Sequence, residues 1–318
     1  MKPYIVPIGG IVVLLLIVVA WSVFFYKSDS GQQTEEVSLH LTLGSLVDAK
    51  LFMLEKGNLR EVAVAVPSTV RAGSVVSQAR RGDGHMVATA VMSQGAFGTA
   101  VVLEKDAMPQ KINEPSAVRD SIALSFDGSR IAYAELALPL TETLYSEEVD
   151  DWHIKVVDVA TKKVTDLGTG YAPVFIAGNP DILAFSTPRG IITASLAEDG
   201  SSADSTLFID RTVQNTSYAM KGSPDGKHLA LYNALTKRYS IFSVANAEAF
   251  SLSAVGEIRT PLERVALSDT HLYGVMRDGA TGTMTLMRYA FDQITNAGAE
   301  GDVLHTFTES EIPYQIIP

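Results

Sequence analysis

The chain has 318 residues, of which 36 are acidic, 25 are basic and none is cysteine, and its formal net charge is −11. The lack of cysteine excludes disulfide scaffolds, thiolate metal sites and cysteine nucleophiles, and the negative charge argues against nucleic acid as a partner. Apolar residues make up 47% of the chain, which is enough for a large core and excludes disorder throughout.

The N-terminal segment predicts a membrane anchor. Residues 5–25 carry no charged side chain, and a helix of that length spans about 30 Å, the thickness of a bilayer core. Tyr4, Trp21 and Tyr26 lie near its ends, where aromatic rings prefer the headgroup layer. We therefore predict an uncleaved signal anchor at residues 1–27, a flexible linker at 28–36 and a folded domain at 37–318.

A cleaved signal peptide and a pilin-type helix are the alternatives. A signal peptide has an apolar region of about 7–15 residues and a small-x-small cleavage site, whereas this run is longer and ends in bulky residues, Phe24 and Phe25. We see no pilin-type processing site followed by an acidic residue. A single span before a long polar domain predicts a cytoplasmic N-terminus and an extracytoplasmic domain.

A repeated hairpin follows the linker. Its clearest copies are Ser-Phe-Asp-Gly-Ser-Arg-Ile-Ala at 125–132 and Ser-Pro-Asp-Gly-Lys-His-Leu-Ala at 223–230. Asp accepts backbone hydrogen bonds and Gly supplies a positive φ, so each Asp-Gly pair predicts a tight turn between two strands. Weaker copies at Asp83 and Asp269 are each 44 residues from a clear copy. A period in the mid-forties is typical of a four-stranded propeller blade.

The strand count predicts that the two ends of the domain share a blade. Third strands are predicted at residues 50–55, 99–104, 153–159, 190–196, 239–244 and 284–290, but only five complete hairpins precede them. The remaining blade is complete if residues 312–317 form its innermost strand beside residues 37–43. An open ring would leave two apolar faces exposed to water. The predicted fold is therefore an all-β, six-bladed β-propeller.

The segments 125–132 and 223–230 resemble the repeats of TolB-like β-propellers, which are distant relatives of WD-type repeats. The resemblance covers most of residues 37–318 and implies the fold. Such propellers occur as periplasmic scaffolds, as sensor or binding domains, and as the non-catalytic partner of prolyl-oligopeptidase-type hydrolases. The resemblance therefore implies a binding or scaffold role without specifying a ligand.

Motifs for catalysis or metal binding are absent from the sequence. It contains no nucleophile elbow, no phosphate loop and no His pair at metal-ligand spacing. His85, His228 and His271 each follow the first turn of a repeat, so we interpret them as rim residues of separate blades. We accordingly expect no enzyme activity, no cofactor and no metal.

One acidic loop interrupts the repeat length between the second and third strands of a blade. A long loop in a compact domain is often functional. It is either a solvated flap or a docking loop for a basic partner, with Tyr145 and Trp152 as aromatic anchors. The candidate docking residues are Glu142, Tyr145, Glu147, Glu148, Asp150, Asp151 and Trp152.

The sequence is compatible with three functions. The leading hypothesis is a membrane-anchored, extracytoplasmic interaction or scaffold module of the cell envelope, with the bilayer and an envelope protein as partners. The alternatives are a carboxylate-based hydrolase or lyase, and a propeller that binds a glycan or another small ligand. Paired carboxylates around the central channel would favour the enzyme.

Overall fold

The computed structural model describes residues 39–45, 48–81, 85–93, 98–138, 149–177, 179, 181–197, 202–210, 220–233, 236–246, 251–295 and 299–318. These residues form six four-stranded antiparallel sheets, which are the blades of a β-propeller. The predicted six-bladed, all-β fold is therefore confirmed. The predicted anchor at 1–27 and linker at 28–36 lie outside the described residues. Within the described residues, no helix has the length and apolar character needed to cross a bilayer.

The first three blades contain twelve of the strands. Blade 1 comprises β1 (Leu39–Leu43), β2 (Lys50–Glu55), β3 (Asn58–Glu61) and the C-terminal β24 (Pro313–Ile317). Blade 2 comprises β4 (Ala72–Arg80), β5 (Met86–Ser93), β6 (Thr99–Lys105) and β7 (Met108–Lys111). Blade 3 comprises β8 (Arg119–Leu124), β9 (Arg130–Leu136), β10 (Trp152–Asp158) and β11 (Val164–Thr169).

The other three blades follow the same order along the chain. Blade 4 comprises β12 (Tyr171–Phe175), β13 (Ile182–Thr187), β14 (Gly190–Leu196) and β15 (Ser202–Asp210). Blade 5 comprises β16 (Met220–Gly222), β17 (His228–Asn233), β18 (Arg238–Asn246) and β19 (Ser251–Ile258). Blade 6 comprises β20 (Leu262–Leu267), β21 (His271–Arg277), β22 (Met284–Ala290) and β23 (Asp302–Thr306). Short 3₁₀ helices span Val149–Asp151 and Phe291–Gln293.

The C-terminal strand closes the ring as predicted. β24 is the innermost strand of blade 1 and pairs antiparallel with β1, so that Ile316 lies opposite Leu41 and Ile317 lies opposite His40. The strand begins at Pro313, one residue later than predicted, and Ile312 before it is exposed. One sheet therefore joins the two ends of the described domain.

Apolar side chains fill the spaces between neighbouring blades. Trp152, Ile154, Leu183 and Phe185 belong to one cluster between blades 3 and 4, and similar clusters join blades 2 and 3 and blades 5 and 6. Both faces of a blade are covered in this way. As a result, a strand such as β1 is buried at every position instead of alternating between core and solvent.

The Asp-Gly turns have the geometry that their sequence predicts. Asp225 accepts hydrogen bonds from the Ser223 hydroxyl at 2.6 Å and from the Lys227 N–H at 3.0 Å. Gly226 has a φ of +68°, and a Cβ atom there would lie 2.5 Å from the Phe175 carbonyl oxygen of blade 4. Only glycine meets both requirements without strain. The Gly226 turn of blade 5 therefore packs directly against blade 4.

Candidate functional site

The innermost strands of all six blades surround a central cavity of about 560 Å³. A volume of this size lies within the range of small-molecule sites, about 300–1,000 Å³. Backbone and aliphatic side chains form much of its wall, and a small number of polar and aromatic side chains project into it. This combination makes the cavity the candidate functional site.

Three of the innermost strands carry the same backbone irregularity beside the cavity. Ser121, Ala172 and Arg264 have positive φ angles of 51°, 53° and 49°. Each lies where the pairing register shifts, in β8, β12 and β20 respectively. Bulges of this kind redirect side chains and are frequent next to functional sites. The repeated bulge thus shapes the polar part of the cavity wall.

The cavity is cationic although the whole chain has a net charge of −11. Arg80, Lys221 and Arg264 line it, and Asp120 has the single acidic side chain among its described lining residues. Three cationic side chains and one acidic side chain leave a local excess of positive charge. A cleft with low-dielectric walls focuses such a field and raises the local concentration of counter-ions. The cavity can therefore attract an anionic ligand.

Asp120 and Tyr171 form a hydrogen-bonded pair between blades 3 and 4. The Tyr171 hydroxyl donates to Asp120 Oδ2 at 2.7 Å, and the Ser121 backbone N–H donates to Oδ1 at 2.6 Å. Burial raises the pKa of Asp120 above its ordinary value, although these two hydrogen bonds and the nearby Lys221 and Arg264 favour the ionised form. The pair can thus exchange a proton with a bound ligand.

Lys221 projects from the short strand β16 into the same region of the cavity. Burial lowers the pKa of its ammonium group; the nearby Asp120 opposes this shift, and Arg264 adds to it. Within the part of the chain that the structure describes, no side chain or backbone group forms a hydrogen bond or ion pair with the ammonium. Lys221 is therefore a cation whose hydrogen bonds are left to water or a ligand.

Arg264 is an exposed side chain whose guanidinium lies 5.9 Å from the centroid of the Tyr314 ring. Tyr314 comes from the C-terminal strand β24, so this contact joins blade 6 to the closing strand of blade 1. A guanidinium over an aromatic face is held in place and keeps its N–H donors available for a carboxylate.

Arg80 supplies positive charge elsewhere on the wall. Its Nε donates to Gln78 Oε1 at 3.0 Å. Burial and the Arg80 charge lower the pKa of His40 to about 4, so the buried His40 ring is neutral at neutral pH. The Arg80 charge therefore has no imidazolium beside it at that pH.

The predicted docking loop falls only partly within the described residues. Four of its members lie outside them, namely Glu142, Tyr145, Glu147 and Glu148. Asp150 is exposed and Asp151 is half-buried in the 3₁₀ helix that ends the loop. Trp152 is 1% exposed and packs edge-on against Tyr171 at a centroid distance of 5.3 Å. The Trp152 ring is thus part of the core and not a surface anchor, whereas docking by the loop stays a prediction.

The three rim histidines lie in different blades. His228 begins β17 and His271 begins β21, while His85 precedes β5 in blade 2. His228 packs against the Phe291 ring at a centroid distance of 4.4 Å. Among the described residues, no group of three or more His, Asp or Glu side chains is arranged to hold a metal ion.

Sequence reasoning did not identify Asp120, Lys221 or Arg264 as site residues, because no motif contains them. Their position within the repeat could have identified them. The innermost strand of a blade immediately precedes its first turn, and each of these residues lies two to five positions before such a turn. In blades 3, 5 and 6, a charged residue at one of those positions lines the cavity.

The propeller is similar to several solved structures at low sequence identity. TolB from Acinetobacter baumannii has a TM-score of 0.58 and 12% identity over 92% of this chain and 69% of that chain. An oligogalacturonate lyase from Vibrio parahaemolyticus has a TM-score of 0.52 and 12% identity over 86% and 82%. A chain from a nidogen–laminin complex has a TM-score of 0.54 and 15% identity over 88% and 97%.

These similarities confirm the TolB-like propeller fold. Because the sequence identities are only 12–15%, these similarities show a shared fold and nothing more. The chain matches no protein-family model, and no curated protein matches it in sequence.

Proposed function

We propose that this chain is a membrane-anchored, extracytoplasmic propeller whose central cavity binds a small anionic ligand and whose rim docks a partner of the cell envelope. The ligand proposal rests on one observation, the cationic lining formed by Arg80, Lys221 and Arg264 around a cavity of about 560 Å³. Charge-assisted hydrogen bonds from such groups to a carboxylate are roughly twice as strong as neutral ones.

The other lining residues favour an acidic sugar as the ligand class. Tyr171, Tyr239 and Tyr314 add aromatic side chains to the wall. Aromatic rings with a few well-placed polar groups are typical of small-molecule sites. The oligogalacturonate lyase that shares this fold is named for an acidic saccharide. Galacturonate is therefore a suitable probe, and galactose, which lacks the carboxylate, is its neutral counterpart.

A carboxylate-based hydrolase or lyase remains the second candidate. Such an enzyme needs two carboxylates, or a carboxylate and a His, at one reacting bond. The described lining provides Asp120, whose raised pKa suits a general acid. Ligand binding needs no second carboxylate, and for that reason we place binding first.

Galacturonate is expected to bind the purified full-length chain, and galactose to bind at least about tenfold more weakly, because a charged hydrogen bond contributes about 1.5–3 kcal/mol. Arg264→Gln should weaken galacturonate binding by a similar factor. Arg277→Gln is the matched control, since Arg277 is exposed and pairs with Glu263 away from the cavity. Isothermal titration calorimetry measures the affinity of the wild-type chain for each sugar and the affinity of each variant for galacturonate. Equal affinity for the two sugars would contradict the proposal.

The affinity for galacturonate should also fall as the pH rises. The raised pKa of Asp120 means that its carboxyl becomes negative at a higher pH than usual, and the lowered pKa of Lys221 means that its ammonium loses charge earlier. Both proton losses make the cavity less positive. The Tyr171 hydroxyl, the Ser121 N–H and Arg264 also face these groups.

The anchor proposal predicts that residues 1–27 stay on the mature chain. The apolar run at 5–25 is long enough to span a bilayer, so the chain should remain with membranes until it is cut within residues 28–36. Membrane fractionation followed by N-terminal sequencing is the measurement. A mature chain that starts after residue 20 would show a cleaved signal instead. Crosslinking in the same membranes, followed by identification of the linked proteins, tests for the envelope partner.

A further inference from the structure

We propose that the ε-amine of Lys221 forms a reversible imine with the carbonyl group of an anionic ligand of the 2-oxo acid class. This inference rests on the proposed function, because the ligand reaches Lys221 only if the cavity binds anions. It adds a covalent step that anion binding alone does not need. The reacting group would be an amine within the cavity, beside a cation and a proton-exchanging pair.

The position of Lys221 suits a nucleophilic amine. The side chain lines the cavity, and in the described part of the chain its nitrogen is engaged by no hydrogen bond or ion pair. Only the neutral amine attacks a carbonyl carbon. Burial lowers the pKa of Lys221, Asp120 opposes the shift and Arg264 adds to it, and the net effect enlarges the neutral fraction. Desolvation next to another cation is a known way to activate a lysine.

Arg264 can hold the carboxylate of a 2-oxo acid while Lys221 meets its carbonyl. The two cations interact electrostatically, so they lie in the same part of the cavity. In a 2-oxo acid the carboxylate is bonded directly to the carbonyl carbon. A guanidinium binds a carboxylate through two parallel N–H donors, which fixes its orientation. The ligand therefore needs one cation for binding and one amine for reaction.

Imine formation is balanced without any oxidant or reductant. The nitrogen lone pair forms a bond to the carbonyl carbon, and the carbonyl π electrons move to the oxygen. The oxygen then leaves as water while the nitrogen lone pair forms the C=N double bond. Both hydrogens of that water come from the neutral amine, so a neighbouring group has to carry protons from nitrogen to oxygen.

The Asp120–Tyr171 pair is placed for this proton transfer. Asp120 interacts electrostatically with Lys221 and accepts a hydrogen bond from the Tyr171 hydroxyl at 2.7 Å. Burial raises the pKa of Asp120, which brings its proton exchange closer to neutral pH. A group with such a pKa can take a proton from nitrogen and return it to oxygen.

Pyruvate with sodium borohydride provides the test, because borohydride reduces an imine to a stable secondary amine. Peptide mass spectrometry of the full-length chain should place the reduced adduct on Lys221. Lys221→Met should lose this adduct. Lys227→Met should keep it, since Lys227 is exposed and lies six positions further along the chain. Adducts spread over Lys227 and other exposed lysines, with none favoured, would overturn the inference.

Lys221→Arg separates this inference from the proposed function. Arginine keeps the positive charge but forms no imine, so the variant should bind pyruvate in calorimetry without reductant and give no adduct with it. If the wild-type chain binds pyruvate and yields no Lys221 adduct, the imine is wrong and anion binding stands. If neither pyruvate nor galacturonate binds, the proposed function is wrong as well, and the inference falls with it.

Discussion

A chain that lacks residues 312–318 is expected to unfold or aggregate, whereas a chain that lacks residues 28–34 should keep its melting temperature. The first deletion removes β24, the innermost strand of blade 1, and exposes the edge of β1. It also uncovers the parts of blades 2 and 6 against which β24 packs. The second deletion removes only residues that precede β1.

The energy at stake is a large part of the stability of a domain. Ile316 and Ile317 are 4% and 1% exposed, and burial of one such side chain is worth about 1.5–3 kcal/mol. A whole domain is stable by roughly 5–15 kcal/mol. The deletion also frees the backbone groups of β1 that pair with β24. A free, apolar strand edge is an aggregation hazard.

Two point substitutions refine this prediction without shortening the chain. Ile317→Asp places a charge at a buried position and should lower the melting temperature strongly. Ile312→Asp is the matched control, because Ile312 is 55% exposed and lies just outside the strand. Thermal melts of the purified variants measure both. If the truncated chain or the Ile317→Asp variant has the same melting temperature as the wild type, β24 is dispensable and closure of the ring by the C-terminal strand is wrong.

Arg119→Met is expected to destabilise the domain by about 3–5 kcal/mol, the usual cost of breaking a buried ion pair. The Arg119 side chain is 5% exposed and pairs with Glu135 at 2.8 Å. It also donates to the carbonyl oxygens of Thr99 at 2.6 Å and Glu114 at 3.0 Å, so it links blade 3 to the segment that leaves blade 2. Methionine would leave these carbonyl acceptors without their donor and would leave Glu135 with Lys155, whose ammonium lies 4.0 Å away.

Arg277→Met is the matched control for this substitution. Arg277 pairs with Glu263 at 3.2 Å, but the two side chains are 48% and 51% exposed. Exposed ion pairs contribute about 0–1 kcal/mol. Urea denaturation of both variants should therefore show a large shift of the midpoint for Arg119→Met and a small one for Arg277→Met. Similar midpoints for the two variants would show that the Arg119 network does not join the blades.

The sequence alone was sufficient for the architecture because local chemistry sets each repeat. A turn that needs a carboxylate acceptor and a positive φ favours Asp followed by Gly, as at Asp225 and Gly226. The spacing of these turns gave the blade length. The shortage of one first strand predicted the closure by residues 312–317, which the pairing of β24 with β1 confirms.

The candidate site could not be located in the same way, because its residues are brought together by the ring and not by the chain. Asp120 and Lys221 are about a hundred positions apart in sequence, and Arg264 is further along still, yet all three line one cavity. Each comes from a different blade, and the turns of the repeat require no charged residue at these positions. The bulges that shape the wall also leave little mark in the sequence, since Ser121, Ala172 and Arg264 adopt positive φ without being glycine.

Side-chain burial was likewise decided by the tertiary structure. Trp152 follows an acidic segment, and its neighbours in sequence suggested an exposed loop. The packing of blade 3 against blade 4 instead places its ring beside Tyr171 in the core. Local sequence thus determined the turns, the strands and their number, because each depends on neighbours along the chain. The ring of blades decided which side chains meet at the axis and which are buried, because those contacts join residues far apart in the chain.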